Sequence, residues 1–182
     1  MTGLPAVFLD RDGVLNCAVV RNGKPYPPSR LEDVEIIPGT LTALIKLKAS
    51  GFMLIGITNQ PDVARSAQSR AMVEAINAFV QSQLPLHEIF TCFHDDADAC
   101  DCRKPKPGLI IQAAEKYGIN LSQSWMVGDR WKDIAAGYSA GLKTIFVDYH
   151  YNEIYKGTPA NYIINDTKDL TDIILKGSNE NS

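Results

Sequence analysis

"VFLDRDGVLN", residues 7–16, joins an apolar run to two aspartates set two apart, with a glycine directly after them. Together with Ala6, the run "AVFLD" (6–10) reads as a strand buried on both faces, followed by a glycine-containing loop. In extended chain, residues i and i+2 face the same side, so Asp10 and Asp12 can both address one reacting centre. Gly13 lets the chain turn sharply behind them.

The same alternation continues outward along the chain. "PGTLTALIKLKASG" (38–51) has the apolar spacing of a helix, opened by Pro38 and closed by Gly51. "FMLIGITN" (52–59) reads as a second buried strand and residues 66–84 as a second helix. "EIFTCF" reads as a short strand, 108–119 as a helix, 124–129 as a strand, 131–141 as a helix and 143–149 as a strand. A last helix is expected over 167–177, followed by a frayed polar tail, 178–182. Strand and helix repeating at this spacing predict an α/β fold of three layers, Rossmann-like, with a mostly parallel central sheet. Ligands of such sheets bind beyond the carboxyl ends of the strands. Asp10, Thr58, Asn59 and Asp129 each fall at such an end, so that edge is the expected active site.

The chain has 182 residues, enough for one domain with a substantial core, and a single domain over 1–182 is expected. With 18 Lys and Arg against 21 Asp and Glu, the net charge of −3 argues against a nucleic-acid partner. No apolar run approaches a membrane span, and "MTGLPAVFLDRDG" lacks the form of a secretory signal. A cytoplasmic monomer acting on a small molecule is the expectation.

A lone pair of aspartates is weak evidence, and its companions strengthen it. Asp10, Asp12 and Asp129 on one edge would repel unless a cation sat among them, and oxygen ligands with room for phosphate suit magnesium. Asp133 follows Asp129 by one helical turn in "GDRWKD", and "RKPKPG" adds Arg103, Lys104 and Lys106. Carboxylates, magnesium, a hydroxyl and a lysine together suggest phosphoryl transfer. One aspartate attacks phosphorus and its neighbour moves protons.

These segments resemble the haloacid dehalogenase-like (HAD) phosphohydrolases. "DRDGVLN", "ITNQ", "RKPKPG" and "VGDRWKD" are similar to that superfamily's four motifs in their usual order. The resemblance implies Asp10 as nucleophile, Asp12 as general acid and base, Thr58 as a phosphoryl hydrogen-bond donor and Lys104 as charge stabiliser. It implies magnesium on Asp10, Asp129 and the Asp12 backbone carbonyl, supported by Asp133. Asn59, Gln60, Arg103 and Arg130 are the implied substrate contacts. Both aspartates are present, which argues against a non-catalytic phosphosugar-binding module.

"CFHDDADACDC" places Cys92, His94, Cys100 and Cys102 in a loop, 92–102. Three thiolates and an imidazole complete a tetrahedral zinc set with no open position, which predicts a structural ion. The alternative is a metal-free loop of thiols. Cys17 has no partner in this pattern.

The zinc-loop pattern resembles the branch of the superfamily holding the heptose 1,7-bisphosphate phosphatases and the histidinol-phosphate phosphatases, which lack a large cap domain. A small phosphorylated sugar is the implied substrate, most closely heptose bisphosphate, with histidinol phosphate as the alternative. "NQPDVARS" departs from the heptose pattern at Pro61, Asp62 and Ser66. An extra carboxylate there disfavours a highly anionic substrate unless it points away. Arg21, Lys24 and Tyr26 in the first loop are open as further contacts.

Overall fold

The computed structural model describes residues 3–155 and 157–179. In chain order its elements are β1 (Ala6–Leu9), β2 (Val19–Arg21), β3 (Lys24–Tyr26), α1 (Thr40–Ala49), β4 (Met53–Asn59), α2 (Arg70–Gln83) and β5 (Glu88–Cys92). There follow α3 (Gly108–Tyr117), β6 (Trp125–Gly128), α4 (Trp131–Ser139), β7 (Lys143–Val147), β8 (Tyr162–Ile164) and α5 (Leu170–Asn179). Among the described residues, six strands form one parallel sheet in the order β5-β4-β1-β6-β7-β8.

Strand alternation builds two cores, one on each side of that sheet. Val7, Leu9, Leu54 and Val127 point to a face covered by Leu44 and Leu47 of α1, Ile76 and Val80 of α2, and Ile174 of α5. Ala6, Phe8, Ile55 and Met126 point to the other, against Leu109, Ile110 and Ala113 of α3 and Ala136 of α4. Central strands that must serve both cores have no polar face, so β1 is fully buried along its length. The chain runs from β1 through β4 to β5, then returns to lay β6 on the other side of β1. Strand order therefore reverses between β1 and β6, where a crevice opens in doubly wound sheets.

Three strands depart from expectation. The first loop contains an antiparallel hairpin, β2 with β3, turned by Asn22 and Gly23 at φ of 51° and 73°. Two successive positive φ values make the primed turn that suits hairpin twist, and Asn-Gly is its preferred sequence. β8 was also not expected; it adds a short edge strand beside β7. The helix expected over 66–84 starts at Arg70, because Ser69 Oγ accepts the Met72 amide at 3.1 Å. Before it, the Asp62 carbonyl takes the amides of Ala67 and Gln68 and holds the chain in turns. At the other end α5 continues through Ser178, whose hydroxyl donates to the Ile174 carbonyl. Residues 180–182 of the expected tail lie outside the described residues.

Candidate active site

Asp10 leaves the end of β1, Asp129 the end of β6, and Thr58 and Asn59 end β4. The edge predicted from strand ends is thus assembled by three adjacent parallel strands. An open cavity of about 560 Å³ lies over it, lined by Asp10, Asp12, Thr58, Lys104 and Asp129 among others.

Lys104 is the centre of the charge arrangement. Its ammonium is nearly buried and donates to Asp10 Oδ1 at 2.6 Å and to the Ile57 carbonyl at 2.8 Å, and it pairs with Asp133 Oδ1 at 2.7 Å. Burial alone would favour the neutral amine, but Asp10 and Asp133 outweigh it and drive the Lys104 pKa up. Asn59 braces this lysine by clasping its peptide: its side-chain amide donates to the Lys104 carbonyl and its oxygen accepts the Lys104 amide. Asp133 also receives the Arg130 amide at 3.0 Å, which caps α4.

One lysine cannot balance three carboxylates. Asp10, Asp129 and Asp133 each offer an oxygen within 4.8 Å of the others. Burial, then repulsion from Asp133, push Asp10 up to about 7 despite Lys104. Burial with repulsion from Asp10 and Asp133 pushes Asp129 well above the usual carboxylate range. Among the described residues neither Asp129 oxygen meets a hydrogen-bond partner within 3.5 Å, although the Tyr151 hydroxyl faces it. A buried carboxylate without a partner, among two others, fits a divalent cation with oxygen ligands. Gly13 leaves the space: at φ +98° its missing Cβ would stand 2.0 Å from Asp129 Oδ2.

Asp12 is held differently. Arg11 Nε and Nη2 bind its two oxygens at 3.1 and 2.9 Å, Asn16 donates to Oδ1 and Gln60 to Oδ2. Gln60 also donates to Thr58 Oγ1 at 3.0 Å and is 2% exposed, so it lies beneath the cavity rather than in it. Arg103 and Arg130 do line the cavity. Arg103 Nε donates to Asp96 at 2.8 Å, and Arg130 pairs with Glu153 at 2.5 Å. Asp62 lines it too, with Arg65 at 3.6 Å beside its carboxylate. Of the first-loop residues left open, Lys24 and Tyr26 reach the cavity, whereas Arg21 lies over the Tyr26 ring.

Some lining residues are not legible as site residues in the sequence. Arg65 and Lys132 lie inside the stretches "NQPDVARS" and "VGDRWKD" but carry no role of their own there. Asn152 and Glu153 belong to a loop brought in because the Asn152 amide bonds the Gly23 carbonyl at the hairpin turn. Only the hairpin's Asn-Gly pair was a usable signal for that contact.

Cys92 ends β5, and its loop returns Cys100 and Cys102 to it. Cys92 Sγ lies 3.7 Å from His94 Nδ1 and from Cys100 Sγ, and 3.2 Å from Cys102 Sγ. Cys102 Sγ is 3.3 Å from His94 Nδ1 and 3.4 Å from Cys100 Sγ. Zinc–sulfur bonds of about 2.3 Å give tetrahedral edges of about 3.8 Å, so the cluster is slightly contracted but of the right shape. Burial raises the Cys100 thiol, but hydrogen bonds from Cys102 and the Arg103 backbone hold it down at about 7. Burial pushes Cys92 and Cys102 up. The loop thus fits zinc, and it sits directly before Arg103 and Lys104.

A parallel sheet that reverses order beside β1, with an acidic pocket and one buried lysine at its carboxyl edge, is the arrangement of the HAD-like hydrolases. Residues 101–170 match the family model described as HAD-hydrolase-like. The chain is 38% identical to the D-glycero-β-D-manno-heptose-1,7-bisphosphate 7-phosphatase of Helicobacter pylori, over 76% of this chain and 80% of that protein. It is 34% identical to the enzyme of the same name from Pasteurella multocida, over 93% of this chain and 96% of that one. Its fold matches the D,D-heptose 1,7-bisphosphate phosphatase of B. bronchiseptica complexed with magnesium and phosphate, with a TM-score of 0.79 at 25% identity, covering 96% and 99% of the two chains. The chain belongs to the family of the D-glycero-β-D-manno-heptose-1,7-bisphosphate 7-phosphatases, and is a phosphoric monoester hydrolase.

Proposed function

We propose that this chain removes the 7-phosphate of D-glycero-β-D-manno-heptose 1,7-bisphosphate through an aspartyl-phosphate on Asp10. The observation that carries the reading is the Lys104 ammonium at 2.6 Å from Asp10, at the floor of an open cavity with Thr58 and Asp129 alongside.

In the first step a carboxylate oxygen of Asp10 bonds to phosphorus as the bond to the sugar oxygen breaks. Asp12 gives that leaving oxygen a proton. In the second step Asp12 takes a proton from water as its oxygen attacks phosphorus, and inorganic phosphate leaves Asp10. Thr58 Oγ1 accepts from Gln60 and so keeps its own hydrogen for a phosphoryl oxygen. Lys104 neutralises charge on the transferring group. Magnesium would be held by Asp10, Asp129 and the Asp12 carbonyl, and supplies charge neutralisation at the phosphoryl oxygens when bound. Asp133 supports the site through Lys104, Gln60 supports it from beneath, and Asn59, which lines the cavity, braces the Lys104 peptide.

A bisphosphate brings a second anion. Lys24, Arg65, Arg103, Arg130 and Lys132 surround the cavity, more cations than one phosphate requires. Arg103 and Arg130 are the proposed partners of the second phosphate, since a guanidinium binds it bidentately. Asp62 is compatible with this anion because Arg65 stands beside it. A structural zinc on Cys92, His94, Cys100 and Cys102 would fix Arg103. The free thiols suit a reducing cytoplasm.

The test is phosphate release with magnesium from both anomers of heptose 1,7-bisphosphate, histidinol phosphate and hexose phosphates. The β-heptose bisphosphate is expected to lead in kcat/KM by about a hundredfold, about 2.7 kcal/mol of transition-state discrimination. A histidinol phosphate or hexose phosphate that matches it overturns the substrate assignment.

A further inference from the structure

Arg11 stands between the two aspartates and is completely buried, although arginine rarely is. Its guanidinium is engaged along two edges. Nε and Nη2 form a fork on Asp12, while Nη1 donates to Asn77 Oδ1 at 2.8 Å. Asn77, on α2, in turn donates to Thr91 Oγ1 of β5 at 2.9 Å. Arg11 is therefore fixed from a helix and a strand that contribute no reacting group. A planar fork specifies direction as well as charge, which a lone ammonium would not.

We propose that Arg11 is a positioning residue: anchored through Asn77 and Thr91, it aims the Asp12 carboxylate at the atoms between which the proton moves. The inference rests on the phosphatase reading above. Asp12 sits at the cavity floor, and Gln60 ties its Oδ2 to the same glutamine amide that holds Thr58. Arg11 never touches substrate. Its effect must appear only in steps where Asp12 moves a proton.

That restriction gives the test. In sugar phosphates the departing alkoxide needs a proton, whereas p-nitrophenolate leaves without one. In both, water attack on the aspartyl-phosphate needs Asp12 as base. Arg11→Met is expected to lower kcat on heptose bisphosphate about a hundredfold with KM changed less than threefold. On p-nitrophenyl phosphate the same variant is expected to release one equivalent of p-nitrophenolate in a burst near the wild-type rate, then turn over slowly. Arg11→Lys should recover no more than about a tenth of wild-type kcat, since it restores charge without the fork. Asn77→Ala leaves the ion pair in place and should lower kcat about tenfold with the same burst. If Arg11→Met does not fold, Arg11→Lys and Asn77→Ala carry the test. A burst rate that falls in parallel with turnover, or unchanged kcat in folded variants, overturns the proposal. An inactive wild type on every phosphate ester overturns the function above instead.

Discussion

At the scale of single residues, the cavity floor has no room for one added carbon between Gly13 and Asp129. Asp10→Asn keeps the shape of the proposed nucleophile and removes its chemistry. Phosphate release is expected to fall by about 10⁴-fold or more, measured by phosphate assay with magnesium saturating. The fold should survive, because Lys104 keeps its contacts to Asp133 and to the Ile57 carbonyl. Gly13→Ala puts a Cβ 2.0 Å from Asp129 Oδ2 and asks an L-residue to hold φ +98°. Magnesium binding, followed by isothermal titration, should weaken at least tenfold. Unchanged magnesium affinity in that variant would remove Asp129 from the metal site.

At the scale of elements, the loop 92–102 is proposed to couple a zinc ion to recognition. Cys92 anchors it to β5, and Arg103 leaves it paired with Asp96 and with the His94 carbonyl. Elemental analysis should find about one zinc per chain, and far less in Cys100→Ser. With Arg103 released, KM for heptose bisphosphate should rise about tenfold, the size of one charged hydrogen bond. Turnover of p-nitrophenyl phosphate, which has no second phosphate, should change little. A zinc-free wild type with full activity would leave the loop as a cluster of thiols.

At the scale of the whole molecule, burying several carboxylates at one sheet edge links folding to pH and to magnesium. The Asp10 pKa stands at about 7 in the folded chain against 3.8 for an unperturbed aspartate. A folded pKa above the unfolded one gives stability that is full below the lower value and lost as pH rises through the higher. Asp129 shifts in the same direction. Metal-free protein should therefore melt at progressively lower temperature as pH rises from about 4 to 7, and magnesium should restore the loss increasingly towards pH 7. Thermal melts in chelator and in magnesium across that range check both arms. A melting temperature independent of pH without metal would contradict the buried carboxylate cluster.

Much of this was legible before any fold was built. Doubly buried strands leave unbroken apolar runs, and polar residues that end them converge on one edge of a parallel sheet; Asp10, Thr58 and Asp129 were found that way. The zinc ligands were legible because all four lie within eleven consecutive positions. β8 was not, since three residues carry too little periodicity. Nor were Asn152 and Glu153, which reach the cavity only through the hairpin turn. Sequence alone thus determined the fold class and the strand ends at which Asp10, Thr58 and Asp129 stand, because both depend on residue type at short spacing. Tertiary structure alone decided that Gln60 and Asn59 brace the site from within, that Lys104 serves two carboxylates, and that Arg11 is buried against Asn77. Those facts depend on segments separated by 29 to 94 residues, whose approach is set by strand order and packing and leaves no trace in local spacing.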